Sequence, residues 1–143
     1  MTDVTVERVI GRPRAEVAAY VTDWRNDPTW IGALHEVRLE TDGPLAVRSR
    51  VARVASFLGK RIEYVNEVAE LEPGRRLVMR SVRAPFPMTV TYEFDDAAED
   101  ATRVRIRAQG DASGFYRLAG PLLARAVERG IRGDLERLER VLA

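Results

Sequence analysis

Hydrophobic and polar positions change period several times along this chain. Val4 to Ile10 alternates as a β-strand, with Arg8 the one position that breaks the pattern. Helical spacing follows: Pro13 suits a first turn, and Val17, Tyr20 and Val21 make a short apolar face. Asp27-Pro28 has the chemistry of a cap and first-turn proline, predicting a second short helix that carries Trp30, Ile31 and Leu34. From residue 36 to 110 the period returns to two. Thr41-Asp42-Gly43-Pro44 is a turn, and strands are predicted at about 46–57, 60–71, 75–83, 87–95 and 102–109. From Gly114 onward, Leu123, Val127, Ile131, Leu135, Leu138 and Leu142 form one stripe at 3.6 residues per turn. Ala119, Leu122 and Ala126 widen it near its start. Gly120-Pro121 interrupts it, because proline lacks an N–H and its ring crowds the preceding turn, so a kink is predicted there. The wide half of this helix is where a cavity is expected.

The turns fix which residues face each other, because a hairpin sets register. Centring one turn on Leu58-Gly59 pairs Ala55 with Ile62, Arg53 with Tyr64, Val51 with Asn66 and Ser49 with Val68. Centring the next on Pro73-Gly74 pairs Val68 with Met79 and Asn66 with Ser81. Folding back through Ala84 to Pro87 pairs Ser81 with Val90, Met79 with Tyr92 and Leu77 with Phe94. Thr102, Val104, Ile106 and Ala108 join the same face. The opposite face collects charged and threonine side chains, among them Arg50, Glu67, Arg76, Glu93, Arg103, Arg105 and Arg107. Three separately placed turns thus agree on one antiparallel meander with one wet side.

At 143 residues the chain is read as a single domain over 1–143. Its 45% hydrophobic and 31% charged residues are ordinary for a globular protein, and its net charge of +1 gives no global field to draw it to nucleic acid. There is no cysteine, hence no disulfide and no cysteine metal site. The opening MTDVTVERVI is acidic and alternating, with no basic segment leading into an apolar core, so no signal peptide is expected. No apolar run approaches the roughly 20 residues that span a bilayer, so stable membrane insertion is not expected. A cytoplasmic location is the expectation.

The order strand, two short helices, meander and long C-terminal helix resembles the helix-grip fold of START-like (SRPBCC) proteins. It is most similar to the bacterial polyketide cyclase/dehydrase and lipid-transport group. The segments that carry the resemblance are VERVIGRPRAEVAAYVTDWRNDPTW, LEPGRRLVMRS, MTVTYEFDDAAEDATRVRI and GFYRLAGPLLARAVERGIRGDLERLERVL, together roughly residues 4–142. It implies an α+β fold in which a curved antiparallel sheet wraps around a long kinked C-terminal helix, with two short helices after the first strand. The family shares a scaffold and a cavity, without a common catalytic motif. Its members resemble one another in binding lipids, sterols, polyketides or hormones; others cyclise polyketides or assist chaperones. Function must therefore come from the site.

On the inward sheet face the polar exceptions are Arg53, Tyr64, Asn66 and Ser81, which the register places on neighbouring strands. Buried, each needs a partner. Either they hold the oxygenated end of an apolar ligand, or they satisfy one another, or Arg53 pairs with an acidic neighbour. A guanidinium could also bind a carboxylate, phosphate or enolate. Met79, Met88, Val90, Tyr92, Trp24, Trp30, Phe115, Leu122 and Ala126 are candidates to line or gate the chamber, with core packing the competing role. His35 is the single histidine and has no acidic orienter nearby in sequence, so a structural role is expected. Asp95, Asp96, Glu99 and Asp100 read as a solvated loop, so no metal is expected, and no glycine-rich phosphate loop or dinucleotide fingerprint calls for a cofactor. Arg103, Arg105 and Arg107 share their face with Glu63, Glu67 and Glu93 and lack interleaved aromatics, which argues against a nucleic-acid surface. Asp134 flanks the helical stripe and either meets an arginine or serves a partner. The expected function is binding of a small hydrophobic molecule, such as a lipid, polyketide or isoprenoid. The alternatives are a polyketide cyclase or aromatase using the same chamber, and a chaperone-activator-like interaction module.

Overall fold

A computed structural model describes residues 1–143. Strand β1 (Thr2–Ile10) leads into helix α1 (Arg14–Thr22), a 3-10 turn at Trp24–Asn26, and the single-turn helix α2 (Asp27–Trp30). Six strands follow: β2 (Leu34–Leu39), β3 (Arg50–Phe57), β4 (Lys60–Glu72), β5 (Arg76–Arg83), β6 (Met88–Ala98) and β7 (Ala101–Gly110). The chain closes with α3 (Ser113–Tyr116) and the 22-residue α4 (Gly120–Val141). All seven strands form one antiparallel sheet in the order β1-β7-β6-β5-β4-β3-β2. This is the curved sheet, long C-terminal helix and pair of short helices expected from the sequence. No helix is long and apolar enough to cross a membrane.

The β3–β4 hairpin has the expected register, with Ala55 opposite Ile62, Arg53 opposite Tyr64 and Val51 opposite Asn66. Its two-residue turn uses Leu58 at φ 50° and Gly59 at φ 79°, and two consecutive positive φ values twist a hairpin the way its strands twist. The β4–β5 turn is one residue longer than expected, placing Glu72 opposite Arg76, with Gly74 at φ 79°. A bulge between Val68 and Glu70 removes the extra residue, so Val68 still faces Met79 and Asn66 still faces Ser81. The β5–β6 pairing differs from the expectation. Met79 faces Val90 where Tyr92 was expected, and Leu77 faces Tyr92 where Phe94 was expected. The ladder ends at Arg80 opposite Thr89, and just beyond it Ser81 Oγ accepts a 3.0 Å hydrogen bond from the Met88 amide, which fits this register. The displacement is two residues. An even slip keeps every side chain on its own face, so the apolar set was right although the partners were not.

On the convex face, acids and arginines pair across strands. Arg105 lies between Glu7 (2.9 Å) and Glu93 (3.8 Å), and Arg107 meets Asp3 at 2.6 Å. Arg8, which breaks the alternation of β1, reaches Glu139 on α4 at 2.7 Å and ties strand to helix. The interruption at Gly120-Pro121 is a break between helices instead of a kink within one. Arg117 adopts a left-handed conformation (φ 54°) after α3, and Pro121 sits in the first turn of α4, where its missing N–H leaves no hydrogen bond unmade. From there α4 runs along β1 and against α2. Its second half buries Leu135, Leu138 and Leu142 with Ile10, Val17, Phe94 and Val104 in the main core. A smaller cluster of Val51, Val68, Leu77 and Met79 fills the concave side of β3 to β5.

Candidate functional site

Because α4 follows β1, its first half stands away from β3 and β4, and the curvature of the sheet leaves a gap there. The gap is a cavity of about 320 Å³, and fourteen of its twenty lining residues are hydrophobic. The sheet contributes Ala55 and Phe57 from β3, Ile62 and Tyr64 from β4, Met88 and Val90 from β6, and Ala108 and Gly110 from β7. Helix α4 contributes Leu123, Val127, Gly130, Ile131, Asp134 and Arg137. Gly130 of α4 stands opposite Phe57, and an added Cβ would lie 3.7 Å from that ring. One end is built of aromatic rings. Phe57 packs edge-on against Tyr116 at 5.7 Å, Tyr116 against Phe115 at 4.9 Å, and Phe86 lies 5.3 Å from Phe115. Lys60 holds this end in place, its ammonium 4.5 Å from the centre of the Phe115 ring and donating to the Phe115 carbonyl.

Three of the residues singled out from the sequence line this cavity: Tyr64, Met88 and Val90. Phe115 stands behind Tyr116 in the aromatic end. Trp30 and Met79 are packed in the two cores, and Tyr92 lies between them. Leu122 is exposed at 54%, and Ala126, half-buried, lies off the wall. Both sit one position or more around the helix from Leu123, Val127 and Ile131, so the stripe itself forms the wall and the residues that widen it do not. Arg53, Tyr64, Asn66 and Ser81 do share the concave face, but they make no hydrogen bonds to one another. Ser81 accepts from Met88 N, and the Asn66 side chain is buried with its Oδ1 unpartnered, outside the cavity wall.

Arg53 is spoken for. Its Nη2 and Nε donate to Asp27 Oδ2 at 2.7 and 3.3 Å, and its Nη1 points to the Met79 sulfur at 3.8 Å. Burial opposes the guanidinium charge, but the charge and hydrogen bonds of Asp27 outweigh it and keep Arg53 charged. Burial pushes the Asp27 carboxyl up, against the pull of Arg53. Of the three readings left open by the sequence, the pairing of Arg53 with an acidic neighbour is the one that forms. Asp27 is the residue that the sequence reading assigned to a helix cap; it is instead the first residue of α2, after Asn26, whose side chain makes no capping bond, and the Asp27 side chain turns inward to Arg53.

Six side chains with polar atoms reach the cavity: Thr2, Tyr64, Gln109, Tyr116, Asp134 and Arg137. Tyr64 faces it with no hydrogen-bond partner, and burial raises its phenol pKa although nearby Arg53 works the other way. The Tyr116 hydroxyl is buried and unpartnered as well, and its phenol is likewise pushed up by burial, with Tyr64 adding to the shift. Asp134 Oδ1 accepts from the Gly32 amide at 3.0 Å and from Arg137 Nη2, while Oδ2 has no partner. Burial pushes the Asp134 carboxyl up, more than Gly32 and Arg137 draw it down. Arg137 in turn donates to the Trp30 carbonyl at 3.1 Å. Asp134 was flagged by the sequence only as flanking the stripe; its spacing of eleven from Leu123 and seven from Val127 is the signal that it shares their wall. Tyr116 carried no such signal, because its place depends on the left-handed turn after α3.

Elsewhere, His35 is exposed and shares a 2.6 Å hydrogen bond with Ser56 Oγ. No three histidine or acidic side chains converge as metal ligands would. A wider depression of about 510 Å³ lies on the convex side over Ala52, Val54 and Val65. Its rim is already paired, Arg83 with Glu40 at 2.7 Å.

Solved structures share this fold over nearly the whole chain. The protein TTHA0849 of Thermus thermophilus superposes with a TM-score of 0.80 at 20% identity, covering 96% of this chain and 94% of that one. A START superfamily protein from Mycobacterium smegmatis gives 0.82 at 10% identity, covering 97% and 95%. The Zhui aromatase/cyclase from Streptomyces sp. R1128 gives 0.80 at 16% identity, covering 96% and 90%. At such identities the likeness is one of fold. No curated protein matches the chain by sequence. The sequence profile of the polyketide cyclase/dehydrase and lipid transport family, however, matches residues 1–143, and with the helix-grip architecture above it shows that the chain belongs to that family.

Proposed function

We propose that this protein binds a small hydrophobic molecule, such as a lipid, polyketide or isoprenoid, between the first half of α4 and the concave face of the sheet. The observation that carries the reading is the cavity itself: about 320 Å³, walled mainly by apolar side chains, with a few polar side chains among them, Tyr64, Tyr116 and Asp134 included. Pockets for small organic ligands run from about 300 to 1,000 Å³ and combine an apolar wall with a few placed polar groups. At the lower end of that range, the cavity suits one compact molecule better than a two-chain lipid. Binding is favoured over cyclase chemistry because no base is paired with an acid across the cavity; Asp134 is committed to Gly32 and Arg137.

Native mass spectrometry of freshly purified protein tests the proposal. A discrete adduct is expected, and Gly130→Phe, which would fill the cavity from α4, should abolish it. An adduct that survives Gly130→Phe would overturn the assignment to this cavity.

A further inference from the structure

Charge and hydrogen-bonding capacity around the cavity narrow the class of ligand. Two arginines adjoin it: Arg137 in the wall and Arg53 opposite Tyr64 in the β3–β4 register. Each is already matched by a carboxylate, Arg53 by Asp27 at 2.7 Å and Arg137 by Asp134. Arg137 also spends its Nε on the Trp30 carbonyl. An entering anion would therefore lose its hydration, which costs several kcal/mol per ion in a protein interior, without gaining an uncommitted guanidinium. It would also meet the unpartnered Oδ2 of Asp134. The phenols offer the opposite chemistry. Tyr64 and Tyr116 each bring an O–H with no protein acceptor to a mainly apolar wall, whose other polar side chains are Thr2, Gln109, Asp134 and Arg137; the Tyr116 hydroxyl is fully buried. A buried hydroxyl without a partner is unfavourable; an acceptor oxygen on the ligand would relieve that of Tyr116, with Tyr64 as a second donor in the same wall.

We infer that Tyr64, Tyr116 and Asp134 select a neutral, compact ligand that carries a carbonyl-type acceptor oxygen, and that they discriminate against carboxylate and phosphate head groups. The two phenols donate to the acceptor oxygen, and Asp134 Oδ2 takes a hydroxyl or amine hydrogen where the ligand has one. The inference rests on the cavity being a binding site. It differs from a general affinity for apolar molecules in naming the atoms that recognise the ligand and the charge that is refused.

Three probes of one shape separate the possibilities: hydroxyfluorenone, which has a carbonyl and a hydroxyl; fluorene, the hydrocarbon; and fluorenone carboxylate, the anion. Their affinities would be measured for the parent, for Tyr64→Phe, for Tyr116→Phe and for the double variant, with folding checked by circular dichroism. Hydroxyfluorenone is expected to bind about tenfold or more tightly than fluorene, and fluorenone carboxylate more weakly than either. Each Phe variant should weaken hydroxyfluorenone by about three- to tenfold, the range of one neutral hydrogen bond, and leave fluorene unchanged. The double variant should keep only the part of the preference for hydroxyfluorenone that Asp134 supplies through the hydroxyl. Equal affinity for hydroxyfluorenone and fluorene in the parent, or tightest binding of the carboxylate, would overturn this inference and leave the binding proposal standing. Failure of all three to bind would overturn both. If Tyr64→Phe does not fold, Tyr116→Phe decides, since that ring is held by stacking and not by its hydroxyl.

Discussion

Arg53 on β3 and Asp27 on α2 form an ion pair at 2.7 Å with each residue more than nine-tenths buried, and neither lines the cavity although Arg53 faces Tyr64 across the strands. Trp24, Val51, Leu77, Met79 and Tyr92 surround the pair, leaving beside it a gap of about 10 Å³. The pair ties the one-turn helix α2 to the sheet, beside the buried Trp30 of the same turn.

Breaking this pair from its two sides should have unequal effects. Asp27→Ala leaves a guanidinium that cannot shed its charge, and should cost about 3–5 kcal/mol in urea denaturation. Arg53→Met leaves a carboxyl that escapes by protonation, so its cost should be smaller at acidic than at neutral pH. The double variant Asp27→Leu/Arg53→Met should come close to the parent or exceed it by about 1–4 kcal/mol, because two apolar side chains need no desolvation. A loss under about 1 kcal/mol for Asp27→Ala would contradict the burial described above.

Asp134 predicts a pH dependence of stability. Burial raises its folded pKa above the ordinary 3.8, so the folded chain holds this proton more tightly than the unfolded one. The stability it contributes is then complete below 3.8 and is lost as pH rises through the folded pKa. Asp134→Asn keeps an acceptor for Gly32 and Arg137 but cannot titrate. Its unfolding free energy, followed from about pH 3 to about pH 7, should lack that falling component. A parent and variant whose profiles run parallel would refute the raised carboxyl.

Two glycines should respond in opposite directions to alanine. In Gly130→Ala the new Cβ would rest 3.7 Å from Phe57, an ordinary contact, while the helix loses its most flexible backbone position. A gain of about 0.5–1 kcal/mol is expected. In Gly110→Ala the Cβ would come within 2.8 Å of the Pro87 carbonyl, and backbone must move to admit it. That variant should lower the melting temperature.

The β3–β4 turn holds a leucine in a conformation suited to other residues. Leu58 has φ 50° and is 47% exposed, so its side chain repays little of the strain. Leu58→Asn places there the residue that such two-residue turns favour before glycine, and thermal denaturation should show a gain of roughly 1 kcal/mol. No gain would mean that Leu58 makes apolar contacts worth as much as the strain.

The sequence alone missed β2, whose first residue, Leu34, it assigned to the second short helix. It determined the other six of the seven strands, their wet and dry faces and the placing of the cavity along the last helix. Those follow from local rules: alternation assigns faces, turn residues assign registers, and a 3.6-residue stripe needs a sheet to cover it. Even the two-residue error in the β5–β6 pairing did no harm to the face assignment, since Met79, Val90 and Tyr92 stay on the concave side after an even slip. Tertiary structure decided which concave residues reach open space. Arg53 and Tyr64 are direct cross-strand partners on the same face, yet one is neutralised by Asp27 and the other meets the cavity. The difference lies in what packs above each of them, α2 over Arg53 and α4 over Tyr64, and no periodicity within the strands encodes that. Asp27 and Arg53 are 26 residues apart in the chain, as Asp134 and Gly32 are 102 apart. A pattern of single residues tells which way a side chain points; only the packing of distant segments tells what it finds there.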